Sequence, residues 1–337
     1  MKSGATIKAS VVIVPFNQKD LVRKTLESLE AQTVPPKEFE VILVDESVDG
    51  TKEMVESFRQ HSRLGIRYIR ASHSGVDAKR NTGFKKAIAP IVCFTDHDVI
   101  VQPDWIEQVL QSFKENPAAV GVEGLIRTDQ PRPLFSNAPE NLQGKQYLTA
   151  NLSFRKWVLE KTGGNSEKYF FFREDAEMAF RCMRWGDIVF CPKAVVYHPP
   201  VSLPWRSMLP NRKRLDQFVR NEIRLSKQFP ALYRKTFGSV WNAYKKDFLY
   251  SIAVTGLLVA MAAAWWAFQL PWILFPIAYV AIAGSVFLIA LRKRKDSLRE
   301  KIVFSTVMTA KHLVLGWWMA YYLIKHSWNL RNEPSEE

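Results

Sequence analysis

Acidic residues stand at several places where a folded chain could use them for chemistry. Asp45 directly follows an all-apolar run, and Asp96 and Asp98 come just after another. Glu174 and Asp175 form a further acidic pair in the middle of the chain. Carboxylates can hold a hard divalent cation, and a carboxylate beside a hydroxyl can take its proton. These side chains are therefore the first candidates for a functional site.

Short apolar runs alternate with segments of helical spacing in the first part of the chain. The apolar runs cover 11–15, 41–44, 66–69 and 91–94, and the helical patterns between them cover 21–30, 51–60 and 78–87. This alternation predicts an α/β fold with a mostly parallel sheet and helices on both faces. Ligands bind beyond the carboxyl ends of the strands in such sheets, which is where the acidic residues after the runs would lie.

The composition changes along the 337 residues. We expect a soluble domain over 1–200, a connector rich in Arg, Lys and Pro over 201–246, a membrane domain over 247–327 and a polar tail over 328–337. The net charge of +14 lies mostly in the connector and beside the apolar segments. This placement favours a membrane surface and a phosphorylated substrate as partners, and no nucleic-acid-binding signature accompanies it.

Two uncharged apolar segments, 248–268 and 272–291, are each about long enough to cross a bilayer. Pro271 separates them, which predicts a helical hairpin with a short turn. Lysines and arginines flank the outer ends of the hairpin and are missing from its turn. The positive-inside rule therefore places both outer ends, and the soluble domain, on the cytosolic side of an integral membrane protein.

A third apolar segment, 302–324, is interrupted by Lys311 and His312. Charged groups inside a span are costly, so two interpretations stay open: a crossing helix and a helix at the interface.

The run 11–16 is too short for the core of a signal peptide and fits a first strand better. The three cysteines show no CxxC spacing, which predicts free thiols in a reducing compartment.

Seven short motifs follow one another along the soluble domain. They are VVIVPFN (11–17), VDESVDGT (44–51), AKRNTG (78–83), FTDHD (94–98), ANLSFR (150–155), GG (163–164) and ED (174–175). Together they resemble glycosyltransferase family 2, which has the GT-A nucleotide-sugar fold, over about residues 9–200. The resemblance implies an enzyme that transfers a sugar from a nucleotide-sugar donor such as GDP-mannose or a UDP-sugar.

The resemblance also implies which residues bind the donor. Pro15 and Asn17 would shape the nucleotide pocket through their backbone geometry, and Asp45 would accept hydrogen bonds from the base or ribose. Arg80 and Asn81 would either contact the diphosphate or brace the turn.

The FTDHD motif implies a site for Mg²⁺ or Mn²⁺ on the diphosphate. Asp98 is the expected metal ligand, and Asp96 would reach the metal through water or contact the ribose. An alternative is that Asp98 only caps a helix that begins at Val99. His198 would ligate the metal, contact the phosphates or be a buried structural histidine.

The ED motif implies the mechanism. Asp175 would be the general base and Glu174 would orient or bind the acceptor, while the alternative is an acidic first turn of a helix over 175–185. A single base opposite the leaving group implies inversion at the anomeric carbon.

A lipid phosphate is already ionised and needs no base, so a hydroxyl of a lipid-linked saccharide is the favoured acceptor. Mannose is slightly favoured as the sugar. The rival functions are a polyprenyl-phosphate sugar synthase similar to dolichol-phosphate mannose synthase, and a polysaccharide synthase.

The connector predicts an amphipathic helix along the cytosolic interface, from the apolar positions Leu215, Phe218, Val219, Ile223 and Leu225. Cellulose-synthase-like enzymes, which this architecture resembles, carry a Gln-x-x-Arg-Trp element here, and this chain does not. Arg212 or Arg214 would close on the donor diphosphate or would contact anionic lipids. The few apolar segments disfavour export of a polymer.

Overall fold

The computed structural model describes residues 6–72, 75–166, 168–169, 172–269, 276–277, 281, 291, 296–331 and 334–336. The chain divides into two compact units. The first comprises Met1–Pro131 and Ala138–Pro200, and the second comprises Arg132–Asn137 and Val201–Glu337. The finer division into soluble domain, connector, membrane domain and tail stays a prediction.

The first unit alternates strands and helices, as predicted. Its strands are β1 (Ala9–Ile13), β2 (Phe39–Asp45), β3 (Gly65–Arg70), β4 (Ile91–Thr95), β5 (Ile100–Val101) and β6 (Gly121–Arg127), and, after a short strand β7 (Ser136–Asn137) of the second unit, β8 (Asn151–Arg155) and β9 (Ile188–Tyr197). Its helices are α1 (Lys19–Glu30), α2 (Thr51–His61), α3 (Gly75–Lys86), α4 (Trp105–Glu115), α5 (Lys156–Thr162) and α6 (Glu174–Cys182). The strands and helices predicted from residues 11 to 94 are all present.

The strands form one sheet in the order β3-β2-β1-β4-β8-β6-β9-β5. β1 to β4 are parallel, whereas β8 is antiparallel to both of its neighbours. The chain moves outward from β1 to β3 and then returns through α3 to the other side of β1. Strand order therefore reverses at β1, and open α/β sheets bind ligands at the carboxyl ends of strands beside such a reversal. Every residue of β1, β2 and β4 is buried, so the loops that follow them start from fixed points.

The second unit is mainly helical. It contains α7 (Arg212–Gln228), α8 (Pro230–Phe237), α9 (Val240–Ala267) and α10 (Leu298–Asn329), and its β7 pairs with β10 (Val201–Ser202). α7 is the predicted amphipathic helix, because Leu215, Val219 and Ile223 are buried on one side of it. α9 and α10 are long and apolar enough to cross a membrane. The predicted second half of the hairpin, 272–291, lies almost entirely outside the described residues.

The cysteines are free thiols, as predicted. Cys93 and Cys182 are buried in the first unit and Cys191 is partly exposed. Burial raises the pKa of the Cys93 thiol to about 12 and that of Cys182 to about 11, so both stay protonated.

Candidate active site

Asn17 joins the loops that follow β1 and β2. Its backbone N–H donates to the Ser47 hydroxyl, and its side-chain Oδ1 accepts from the backbone N–H of Val48, both at 2.8 Å. Asn17 has a φ of 51°, a left-handed conformation that asparagine tolerates better than most residues. Asn17 therefore fixes the two loops against each other, and its role in shaping a nucleotide pocket stays a prediction.

Asp45, the last residue of β2, is fully buried. One of its carboxylate oxygens accepts hydrogen bonds from the backbone N–H and the hydroxyl of Ser47, and the other accepts from the Tyr68 hydroxyl at 2.7 Å. Burial and this bond to Asp45 raise the pKa of Tyr68 to about 12, so the phenol remains a donor. Asp45 thus holds the turn in this structure, and its contact with a base or ribose stays a prediction.

Lys79 is a buried cation beneath the loop after β1. Its ammonium donates to the Pro15 carbonyl at 3.2 Å and to the Glu46 carboxylate at 2.9 Å, and it lies 5.6 Å from the centre of the Phe16 ring. This contact fixes the Pro15 carbonyl, and the role of Pro15 in a nucleotide pocket stays a prediction. Lys79 and Glu46 both lie inside motifs of the sequence, yet nothing in the sequence marks them as partners.

Arg80, on α3, lies among three carboxylates. Its guanidinium is 3.2 Å from Asp175, 3.7 Å from Asp77 and 3.7 Å from Asp96. Burial lowers the pKa of Arg80, but these carboxylates outweigh burial and raise it, so the residue remains charged. Arg80 therefore connects Asp96, which follows β4, to Asp175, which opens α6.

Asn81 braces a turn, which is one of the two roles expected for it. Its side-chain amide donates to the backbone carbonyl of Asn165 at 2.9 Å and its oxygen accepts from the N–H of Asn165 at 2.8 Å. Gly164, with a φ of +76°, passes so close that an added Cβ would lie 2.3 Å from the Asn81 oxygen.

Asp175 is partly buried at the start of α6, and both of its carboxylate oxygens accept hydrogen bonds. Its Oδ2 accepts from both the backbone N–H and the hydroxyl of Thr149, each at 2.9 Å, while Oδ1 faces Arg80. Three hydrogen bonds use three of the roughly four lone-pair positions of a carboxylate, so one on Oδ1 remains. Burial raises the pKa of Asp175 and Arg80 opposes that rise. Thr149 was not foreseen from the sequence, although it directly precedes the ANLSFR motif.

Two neighbouring carboxyls have raised pKa values. Burial, together with the charge of Asp175, raises the pKa of Glu174 to about 8. Burial, opposed by Arg80, raises the pKa of Asp77 to about 6. Glu174 is therefore mostly neutral near pH 7 and able to donate a hydrogen bond.

Asp96, Asp98 and His198 form a group whose ligand atoms all lie within 4.8 Å of one another. The His198 Nδ1 lies 3.0 Å from the Pro199 carbonyl oxygen. A carbonyl only accepts, so Nδ1 is the donor in this contact, and Nε2 is the ring nitrogen that faces Asp98. Nε2 lies 3.6 Å from Asp98 Oδ1, an arrangement that a cation or a proton between them would stabilise. The group therefore fits a divalent cation. Asp98 is not a helix cap, because a strand, β5, follows it.

Arg212 and Arg214 belong to the second unit, at the start of α7. The Arg212 Nε donates to the Tyr322 hydroxyl at 2.9 Å, and the backbone N–H of Arg214 donates to the capping side chain of Asn211 at 3.1 Å. Their contact with a donor diphosphate stays a prediction.

Solved structures with a similar fold are glycosyltransferases. A mannosyltransferase from Pyrobaculum calidifontis, in complex with GDP-Man and Mn2+, superposes with a TM-score of 0.57 at 16% identity, covering 96% of this chain and 88% of that one. S. aureus TarS 1-349 in complex with UDP-GlcNAc superposes with a TM-score of 0.50 at 17% identity, covering 92% of each chain. At these identities the likeness shows the fold, which is GT-A.

Similar curated proteins are also glycosyltransferases. AglE of Haloferax volcanii is 35% identical over 169 residues, 46% of this chain and 54% of its own. A validoxylamine A glucosyltransferase of Streptomyces hygroscopicus subsp. limoneus is 35% identical over 126 residues, 36% of this chain and 27% of its own. A glucosyl-dolichyl phosphate glucuronosyltransferase of Haloferax volcanii is 28% identical over 125 residues, 36% of this chain and 39% of its own. The matches thus span about half or less of the length of these relatives.

The family model described as "Glycosyl transferase family 2" matches residues 10–179, just over half of the chain. That range contains the strands β1 to β4 and the cluster around Arg80. With this match, the GT-A fold and the grouped carboxylates, the chain belongs to glycosyltransferase family 2.

Proposed function

We propose that this chain transfers a sugar, with mannose favoured, to a hydroxyl of a lipid-linked saccharide at the cytosolic membrane face, with inversion at the anomeric carbon. The observation that carries the proposal is the way in which Asp175 is held. Thr149 and Arg80 fix both of its oxygens and leave one lone-pair position on Oδ1.

Asp175 is the general base of the proposed reaction. The acceptor hydroxyl donates its proton to the remaining lone pair on Oδ1 as its oxygen attacks the anomeric carbon from the side opposite the diphosphate. Because burial raises the pKa of Asp175, this carboxylate is a stronger base than an exposed aspartate. Glu174, neutral below a pKa of about 8, donates a hydrogen bond that orients the acceptor.

The donor binds at the carboxyl ends of β1, β2 and β4. Asp96, Asp98 and His198 would hold Mn²⁺ or Mg²⁺, and the nitrogen ligand favours Mn²⁺ because Mg²⁺ takes oxygen ligands. A cation bound there would stabilise the charge that builds on the leaving diphosphate. Arg80 holds Asp96 in a fixed relation to the base.

Three arguments favour a lipid-linked acceptor with a free hydroxyl. A lipid phosphate is ionised near neutral pH and needs no base, whereas this chain retains a positioned one. α9 and α10 are also long and apolar enough to bring the enzyme to a bilayer. One relative is, by its name, a glucuronosyltransferase that acts on glucosyl-dolichyl phosphate, a sugar already attached to a lipid.

The test compares wild type with Asp175→Asn in detergent, using Mn²⁺, a panel of GDP-mannose and UDP-sugars, and two acceptors: a polyprenyl-linked saccharide and bare polyprenyl phosphate. We expect transfer to the saccharide, lowered about 10²–10⁴-fold in Asp175→Asn, with donor binding unchanged. Asp187→Asn, at an exposed position beyond α6, is the matched control and should retain activity.

The outcome discriminates between the rival functions. If Asp175→Asn glycosylates bare polyprenyl phosphate at the wild-type rate, the base assignment is wrong and the chain is a polyprenyl-phosphate sugar synthase. Products with many added sugars would instead indicate a polysaccharide synthase.

A further inference from the structure

One face of α10 is exposed along the whole helix and is mostly apolar. Exposed positions recur at intervals of three or four residues, which places them on one side of a helix. We call these residues the outer face: Leu298, Ile302, Thr306, Ala310, Val314, Trp317, Tyr321, Ile324 and Trp328. Ile324 is 74% exposed and Trp328 is 67% exposed, so the apolar surface extends to the last turns.

The opposite face of α10 is buried and contains polar residues. Ser305, Thr309, His312 and His326 are each at most 2% exposed. The backbone N–H of Gly316 donates to the Ser251 hydroxyl of α9 at 2.9 Å. The buried face also contains apolar residues such as Met319, so α10 is apolar on both faces, whereas a helix at the surface of a water-soluble protein exposes a polar side. This distribution fits a helix whose outer face contacts lipid.

Both ends of α10 pack against other elements of the second unit. Near its start, the Phe304 ring lies 5.4 Å from that of Phe135, the residue just before β7. Near its end, the His326 Nε2 lies 2.8 Å from an Asp216 oxygen of α7, and the Tyr322 hydroxyl accepts from Arg212.

These contacts define how α10 can meet a membrane. Phe304 and His326 lie about 33 Å apart along a straight helix, roughly the thickness of the hydrocarbon core. A helix that crossed the bilayer would place one of the two contacts on the far side. However, the chain that joins β10 to α7 contains only the short helical turn Trp205–Met208, and irregular backbone exposed to lipid does not cross hydrocarbon, so the two contacts lie on the same side of the bilayer.

α9 has a different arrangement. Its first half packs against α10, through Ser251 with Gly316 and Thr255 with Trp317. Its second half is exposed and apolar, and includes Val259, at 62% exposure. α9 can therefore enter the bilayer at the place where α10 lies against it.

From these contacts we infer that α10 lies in the plane of the membrane, on the side that holds α7, with its outer face in the boundary between lipid headgroups and acyl chains. Trp317, Tyr321 and Trp328 suit that boundary because their rings are apolar and carry a polar group. The partner of the outer face is thus the lipid bilayer, and both ends of α10 lie on the same side of it. This inference does not depend on the sugar, the acceptor or the catalytic base.

The test measures the depth of three positions on the outer face. Ile302→Cys, Val314→Cys and Ile324→Cys are each made in a chain whose native cysteines are replaced by alanine, labelled with a fluorophore and placed in vesicles that contain lipids with quenchers at known depths. Val259→Cys is the control for a deep position. An in-plane helix gives equal, shallow depths at the three positions. A crossing helix places Val314 deeper than the other two by about 15 Å.

A second measurement uses the native cysteines. A protease-cleavable tag is added after Glu337 and exposed to protease in sealed vesicles whose soluble unit faces outward. Protection of the tag contradicts the in-plane helix, and cleavage together with equal, shallow depths supports it. A depth profile that peaks at Val314, or an outer face that no lipid quencher reaches, would overturn the inference.

Discussion

The hydroxyl of Thr149 is the contact on Asp175 that can be removed with the least change in shape. Thr149→Val keeps the branched side chain and the backbone N–H bond, and removes the 2.9 Å hydrogen bond from the hydroxyl to Oδ2. A hydrogen bond to a charged group is worth about 1.5–3 kcal/mol, and one pKa unit corresponds to about 1.4 kcal/mol. This bond stabilises the ionised form, so its loss should raise the pKa of Asp175 by about one to two units.

The sign of the effect on activity follows from the role of the base. Only ionised Asp175 can take the proton, so activity is lost as pH falls through its pKa. Raising that pKa moves the acid limb of kcat/KM to higher pH by about one to two units, and the rate well above the limb should stay close to that of wild type. The assay is sugar transfer measured across pH at saturating Mn²⁺.

Two variants serve as controls for Thr149→Val. Thr149→Ser retains a hydroxyl and should leave the acid limb close to its wild-type position. Thr162→Val removes a hydroxyl that donates to the Val158 carbonyl within α5, outside the site, and should not move the limb. If Thr149→Val lowers activity by the same factor at every pH, the hydroxyl does not tune the base and the reasoning fails.

Two further predictions concern the metal group and the turn beside Asn81. Asp98→Asn removes a charged ligand, so after treatment with EDTA it should need at least about tenfold more Mn²⁺ than wild type for half-maximal transfer; an unchanged Mn²⁺ titration would contradict the assignment. Gly164→Ala adds a Cβ that would lie 2.3 Å from Asn81 Oδ1, at a residue whose φ is +76°. This substitution should lower the free energy of unfolding by roughly 2–5 kcal/mol. Gly163→Ala is the control: its φ is +81° but its added Cβ would have no neighbour within 4 Å, so it should lower the free energy of unfolding by only about 1–2 kcal/mol. Thermal unfolding measures both, and equal losses would refute the steric argument.

The parallel half of the sheet could be predicted because its strands are uninterrupted apolar runs. β6 gives no such signal, since Glu123 lies in the middle of it. In the fold, the Glu123 carboxylate accepts backbone N–H groups of Lys145, Gln146 and Tyr147 and the side chain of Asn141. A buried charge that is satisfied by a distant loop cannot be recognised from its neighbours in sequence.

The loops of the candidate site were predictable, but the contacts inside it were not. Arg80 and Asp175 are separated by 95 positions and meet only through the folded sheet. Thr149 gives no motif of its own, because a hydroxyl acquires its role from the carboxylate that it faces. For Asp45, the position at the end of an apolar run was predictable from the sequence. Its hydrogen bonds with Ser47 and Tyr68, which occupy both of its carboxylate oxygens, were not predictable.

The balance of charge in the cleft bears on how the donor binds. The field at Arg80 is set by Asp175, Asp96, Asp77 and Glu174, and one guanidinium cannot neutralise all of these carboxyls when they are ionised. With a pKa of about 8, Glu174 is mostly neutral at pH 7, which removes one negative charge. The remaining carboxylates still repel an anionic diphosphate at this edge of the sheet. In the proposed donor site, a cation bound at the Asp96 end would offset this repulsion, so donor affinity and divalent-cation affinity should rise and fall together.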